Sequence, residues 1–163
     1  MAVVGDWNII QIRVAEIKTL ASRSSGSWGE INSAYRVAIE PKRSDSKLLI
    51  VFNFTYSSNE EHRLQHWRIR NVTANSYVSE GTGANNREAT TAASRASYNA
   101  DNAEPLMISG WDNASATSTR TYGLWHKSHT GNQTNMNHSQ SASDTGVHWT
   151  STLIATIYEI EDI

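Results

Sequence analysis

The segment that most constrains the fold runs from residue 40 to 56, E-P-K-R-S-D-S-K-L-L-I-V-F-N-F-T-Y. Pro41, Ser44, Asp45 and Ser46 supply turn chemistry, and the chain then passes abruptly into apolar and aromatic residues. Such a run, bounded by a turn, reads as a strand buried over most of its surface. Much of the remaining chain follows the two-residue period of a half-buried strand. Ile10, Ile12 and Val14 share one face, opposite Gln11 and Arg13. Tyr35, Val37 and Ile39 alternate with Arg36, Ala38 and Glu40, and Trp67 and Ile69 alternate with Arg68 and Arg70. Further strands are expected at 106–111 and 121–125, and a long β-branched and aromatic one at 147–160 closes the chain.

The connectors are rich in Ser, Asn, Gly and Asp, residues that bond their own backbone or tolerate positive φ. Residues 22–27 read as a turn cluster. Two connectors, 73–104 and 127–146, are long enough to be functional or to hide short elements. The first contains Tyr77-Val78 and the Ala/Thr-rich run 89–100, readable as a short strand or one helical turn. The expected fold is all-β: an antiparallel β-sandwich, jelly-roll-like, with about eight strands and two long loops. No internal repeat points to a propeller or solenoid. At 163 residues the chain is the size of one domain. Residues 1–8 read as an N-terminal docking arm and 9–163 as the single domain.

Composition removes several classes of function. Net charge is -2 and charged residues make up 18%, so no basic excess suggests nucleic acid. Mean hydropathy is -0.52, but six Trp and six Tyr argue against disorder. The absence of cysteine excludes a disulfide framework and a thiolate metal site or nucleophile. The N-terminus lacks a basic region followed by a long apolar one, and is not a signal peptide. No apolar run approaches the roughly 20 residues of a spanning helix. The expectation is a protein made in a cytosol, with no membrane insertion.

Reaction chemistry is sparse. His126 and His129, with His138 and His148 downstream, are weighed as a zinc site, against the reading that they are loop and strand-end histidines. No Cys or carboxylate accompanies them at ligand spacing, and no metal or other cofactor is expected. His62, Arg63 and His66 with Glu60 and Glu61 are weighed as an acid–base group, against a solvated strand entrance. Asp101, Glu104 and Asp112 are weighed as a glycosidase pair, against solubilising loop acids. There is no nucleophile elbow and no phosphate-cradling loop. Trp28, Trp67, Trp111, Trp125 and Trp149 lie on or beside expected strands, where core packing is the default. Trp7, in the arm, suits an interface anchor. Arg68 and Arg70 form a polar-face row, either solvated or pairing between subunits. Loop aromatics such as Tyr77 and Tyr98 suit stacking on sugar rings.

The wording of four segments carries a resemblance. Residues 39–50, I-E-P-K-R-S-D-S-K-L-L-I, resemble the I-x-P-x-S-x-S-S-K-I-L-I/V segment of small β-rich virion proteins of tailed, especially marine, bacteriophages. W-R-I-R-N at 67–71, T-Y-G-L-W-H at 121–126 and T-L-I-A-T-I-Y-E-I at 152–160 resemble that group's later strands, in the same order. The long 73–104 excursion, the His-rich loop and the tryptophan load depart from it. The resemblance implies a non-enzymatic virion surface protein, usually a trimer, with no catalytic residues to transfer. A chain that begins almost at once with its domain is read as a head decoration (cement) protein ahead of a tail-fibre, appendage or glycan-binding receptor module. The expected partners are further copies of itself, the major capsid protein or other virion proteins, and host surface glycans. The expected capsid or oligomer contacts are Val3, Val4, Trp7, Ile9, Arg68 and Arg70. Glycan or host contacts are assigned to Tyr77, Tyr98 and His129.

Overall fold

The computed structural model describes residues 7–59, 64–81, 89–95, 104–129, 131–138 and 150–162. They form twelve strands and one short 3-10 turn: β1 (Trp7–Ile17), β2 (Ala21–Ser24), β3 (Gly29–Glu30), the turn Ser33–Tyr35, β4 (Val37–Ile39), β5 (Lys47–Ser58), β6 (Leu64–Asn71), β7 (Ser76–Val78), β8 (Ala92–Arg95), β9 (Glu104–Asn113), β10 (Arg120–Ser128), β11 (Gln133–Met136) and β12 (Leu153–Asp162). Every pairing is antiparallel.

The strands build two sheets. In sheet I, β5 takes β9 along one edge and, along the other, β12 followed end to end by β11. β1 and β2 then cover β12 and β11 in the same end-to-end way. In sheet II, β10 carries β3 and β4 on one side and β6 on the other, and β6 carries β7 and β8. Counting end-to-end pairs as one position leaves eight positions. Their chain order is 1-8-3-6 in sheet I and 2-7-4-5 in sheet II, the order of a jelly roll.

The strand read from 48–56 is β5, the spine of sheet I. Its inward residues Leu48, Ile50, Phe52, Phe54 and Tyr56 are buried, opposite Trp67 and Ile69 of β6 and Tyr122 and Leu124 of β10. Phe54 and Tyr56 meet Trp67 at ring centroid distances of 4.9 and 5.3 Å, good tilted aromatic geometry. Two expectations change and two open alternatives are decided. Residues 22–27 are not simply a turn, since β2 occupies 21–24. Residues 127–146 are not all loop, since β11 lies within them. The run 89–100 contributes the strand β8. Tyr35 closes the 3-10 turn ahead of β4 instead of belonging to it.

β11 was concealed because its inward residue Thr134 faces a polar part of the core. His126 Nε2 lies 2.7 Å from Gln65 Oε1, which also accepts from the Thr134 hydroxyl at 2.8 Å. The amide of Asn137 donates to the carbonyls of Ile17 and Thr19. All four side-chain groups belong to buried residues, and partnered burial of this kind is tolerable. One end of the core is therefore apolar and the other a hydrogen-bonded network.

The turn before β5 is held from the inside by Glu159 of β12. This residue is buried, and its carboxylate accepts from the backbone N–H groups of Lys42 and Arg43, from the Ser46 hydroxyl at 2.7 Å and from the Gln11 amide at 2.6 Å. Burial works against the charged form, but the hydrogen bonds from Lys42, Ser46, Gln11 and Arg43 outweigh it and hold the pKa below its ordinary value. Outside, Arg43 pairs with Asp45 and Glu161.

Removing the carboxylate strands several buried donors, so Glu159→Ala should cost about 3 kcal/mol and Ser46→Ala about 1 kcal/mol, read by denaturant unfolding. The second expectation concerns acid. Burial, with electrostatic repulsion from Arg23 and His66 as lesser causes, pushes the His126 pKa down to about 3. The folded state thus refuses a proton that the unfolded chain accepts from about pH 6.5 downward. Stability is undiminished above that pH and falls as pH drops towards 3, by about 2 kcal/mol at pH 5. His126→Gln should be less stable at neutral pH and should flatten the melting-temperature slope between pH 6.5 and 4.

Candidate functional site

The two sheets present very different outer faces. On sheet II the outward side of β6 carries Arg68 and Arg70, and aromatic rings close over them. The Arg68 guanidinium lies 3.9 Å from the Trp28 ring centroid and 4.4 Å from that of Tyr77. Arg70 lies 5.2 Å from Tyr77 and 5.0 Å from Trp125. Arg68 also pairs with Glu80 at 3.0 Å and donates to the Ala89 carbonyl, while Arg70 donates to Asn75. Gly123, opposite Arg70 in the ladder, leaves the space this needs. A Cβ there would come within 2.8 Å of the Trp125 ring and 3.0 Å of Glu30.

The row expected to be solvated or intersubunit is thus engaged within the chain, each guanidinium between rings. Arg68 is only 12% exposed along its side chain. Tyr77 lies against both arginines, and His129 is exposed at the end of β10. Val3, Val4 and Tyr98 lie outside the described residues, as do His62, Arg63, Glu60, Glu61, Asp101, His148 and Trp149.

Sheet I presents an apolar outer face. The register aligns Ile12, Tyr158, Leu49 and Trp111 in one cross-strand row and Val14, Thr156, Val51 and Ser109 in the next. A third row holds Glu16, Ile154, Asn53 and Met107. Of the eight exposed large apolar side chains among the described residues, six (Trp7, Ile9, Ile12, Val14, Met107 and Trp111) lie on this face. The first-strand periodicity holds for Ile12 and Val14, which point outward and are 49% and 65% exposed, but not for Ile10, which a bulge leaves without a ladder partner. That bulge, between Ile9 and Gln11, keeps Trp7 and Ile9 on the same side.

At one end of this face the two exposed indoles meet. The Trp7 and Trp111 centroids are 4.9 Å apart with planes inclined at 58°. They arch over Ile160 and Lys47 and border a cleft of about 330 Å³ completed by Asp112 and Asn113. Lys47 Nζ donates to Asn113 Oδ1 at 2.6 Å. Asp112 Oδ2 accepts from Asn71 at 2.8 Å and from the Tyr122 hydroxyl at 3.0 Å. Of the expected core tryptophans, Trp67 and Trp125 are buried, whereas Trp111 is exposed.

Of the reaction chemistry weighed from sequence, the groups that fall within the described residues do not assemble. Glu104 and Asp112 stand eight residues apart on the extended strand β9, about 27 Å at strand rise, far beyond a glycosidase pair. His126 is buried in the core and His129 is at the surface. Among the described residues no three His, Cys, Asp or Glu side chains are placed to hold a metal ion, and no helix is long and apolar enough to cross a membrane.

No known family model matches the chain, and no curated protein matches it. Among solved structures it is similar to infectious bursal disease virus, Gx strain, with 11% identity over 95% of this chain and 42% of that one at a TM-score of 0.45. It is also similar to the VP2 subviral particle of the same virus, with 9% identity over 95% and 42% and a TM-score of 0.46. A third is the CBM22-1 xylan-binding domain of Xyn10C from Paenibacillus barcinonensis, with 7% identity over 96% and 87% and a TM-score of 0.40. The chain spans less than half the length of the viral chains. At these values the similarities carry nothing about function.

The stacked arginines generate a prediction. Arg68→Lys keeps the charge but loses the planar group between Trp28 and Tyr77, and should cost about 1 kcal/mol. The check is thermal melting with near-ultraviolet circular dichroism, where the aromatic signal of the sheet II face should change.

Proposed function

We propose that the chain is a non-enzymatic structural protein of a bacteriophage particle, a trimeric head decoration protein. It docks on the major capsid protein through its N-terminal residues and uses the outer face of sheet I for strand-face contacts between copies. The observation that carries the docking is that apolar face. An antiparallel sheet with one side in water normally alternates apolar-in and polar-out, and contiguous exposed apolar surface marks an interaction site. Ile12, Val14, Leu49, Val51, Ile154 and Met107 break the alternation on one side only.

Two further features support assembly. β1 is an edge strand with one ladder partner, β12, and a long apolar edge strand gains from being covered. The paved face of sheet II, by contrast, has already committed its arginines and aromatic rings to one another. The placement on a phage particle comes from the resemblance of the four segments, and the virion surface is the proposed location. The alternative is a tail-fibre or appendage module that binds host glycans, and the indole cleft favours it.

Sedimentation velocity at micromolar concentration should give a trimer. Ile12→Glu combined with Val14→Glu, on exposed positions, should give a monomer with a nearly unchanged melting temperature. The wild-type chain should also co-sediment with purified heads of its parent phage. A monomeric wild-type chain with no affinity for heads would overturn the assignment.

A further inference from the structure

We infer that the cleft between Trp7 and Trp111 is a binding subsite for one unit of a neutral saccharide. The inference rests on the cleft alone, and because Trp7 and Trp111 stand on the outer face of sheet I it is made for the unassembled chain. At about 330 Å³ the cleft is at the small end of ligand sites, which are mostly apolar with a few placed polar groups. Two indoles inclined at 58° make an apolar corner, and Ile160, 6% exposed, lies beneath it.

The polar side of the cleft selects the ligand class. Lys47 contributes a cation, Asp112 a carboxylate and Asn113 an amide, so donors and acceptors are both present and the charges offset. A cation or an anion meets one favourable and one unfavourable neighbour here. A purely apolar ligand leaves the polar side without partners on desolvation. A pyranose ring satisfies both halves: its C–H face covers an indole, and its hydroxyl edge both donates and accepts.

The walls are held before any ligand arrives. The Ser79 hydroxyl engages Trp111 N at 2.7 Å and Trp111 O at 3.2 Å, pinning the backbone of the second indole. Asp112 is oriented by Asn71 and Tyr122, both buried, and its other oxygen accepts from the Asn113 N–H at 2.8 Å. Preorganisation of this kind lowers the ordering cost of binding. Other candidates are closed: the carboxylate of Glu159 is saturated, His126 is sealed in the core, and Arg68 is stacked and paired.

The experiment titrates the ¹⁵N-labelled chain with neutral oligosaccharides (xylo-, gluco-, manno- and galacto-series) and follows the six indole N–H resonances. At least one series should shift the Trp7 and Trp111 signals selectively, with a dissociation constant on the order of 1 mM for a single occupied unit. Trp111→Ala and, as a milder change on the exposed rim, Lys47→Ala should each weaken binding, the first about tenfold or more. The Ile12→Glu/Val14→Glu variant, monomeric if the proposed assembly holds, should retain it, so that binding is read apart from assembly. Uronic-acid and amino-sugar oligomers should bind more weakly than the neutral series. The inference is overturned if no neutral series perturbs these two indoles, if all six shift together, or if Trp111→Ala binds like the wild type.

Discussion

Glu159 holds three stretches of chain together from inside sheet I. Its carboxylate is shared between the turn at 42–46, the first strand through Gln11, and its own strand β12. Buried, it is tolerable only because each lone pair finds a donor. Those donors are supplied only when β1, the turn and β12 are in register. A shift of β12 by one residue would turn the carboxylate outward and leave the N–H groups of Lys42 and Arg43 unpaired inside. The clamp thereby sets where β5 begins. From β5 follow β9 on one side and β12 with β11 on the other, and hence the whole of sheet I.

The same clamp gives a physical reason for two of the resembling segments. The turn 40–46 and the closing T-I-Y-E-I are the two halves of one interaction, so a chain that keeps one has reason to keep the other. The outer faces follow a different logic. On sheet II, long basic side chains lie flat beneath aromatic rings, which hides apolar surface and desolvates cations in a single arrangement. On sheet I no such paving exists, and Val14 and Met107 remain open to water. Among the described residues, sheet II fills its outer face from within the chain, and sheet I leaves apolar side chains exposed.

Legibility in the sequence tracked the origin of burial. β5, β6, β9 and β10 could be read because their inward residues are apolar and their outward ones mostly less so. β2 and β11 could not, since Ser22 and Asn135 are turn formers by propensity and are held in strands by cross-strand hydrogen bonds. Trp111 read as a core residue because its neighbours alternate in a strand. Its exposure depends on which face of β9 meets sheet II, and Ile108 and Gly110 take that side. Trp7 was expected in an arm ahead of the first strand but belongs to β1, and its meeting with Trp111 across sheet I was not legible. The two are far apart in sequence, and no local pattern links them.

By itself, the sequence determined the class of fold: two-residue periodicity, turn-rich connectors and the absence of cysteine leave an antiparallel sandwich held by its core. It also excluded thiolate chemistry, because the chain has no cysteine, and it contains neither a nucleophile elbow nor a phosphate-cradling loop. Only the tertiary structure decided which apolar faces point inward, that the arginine row is spent on its own aromatic neighbours, and that two distant indoles form a cleft. Periodicity specifies that a strand has two different faces. Which of them is buried depends on the sheet packed against it, and that is settled only when every strand is in place.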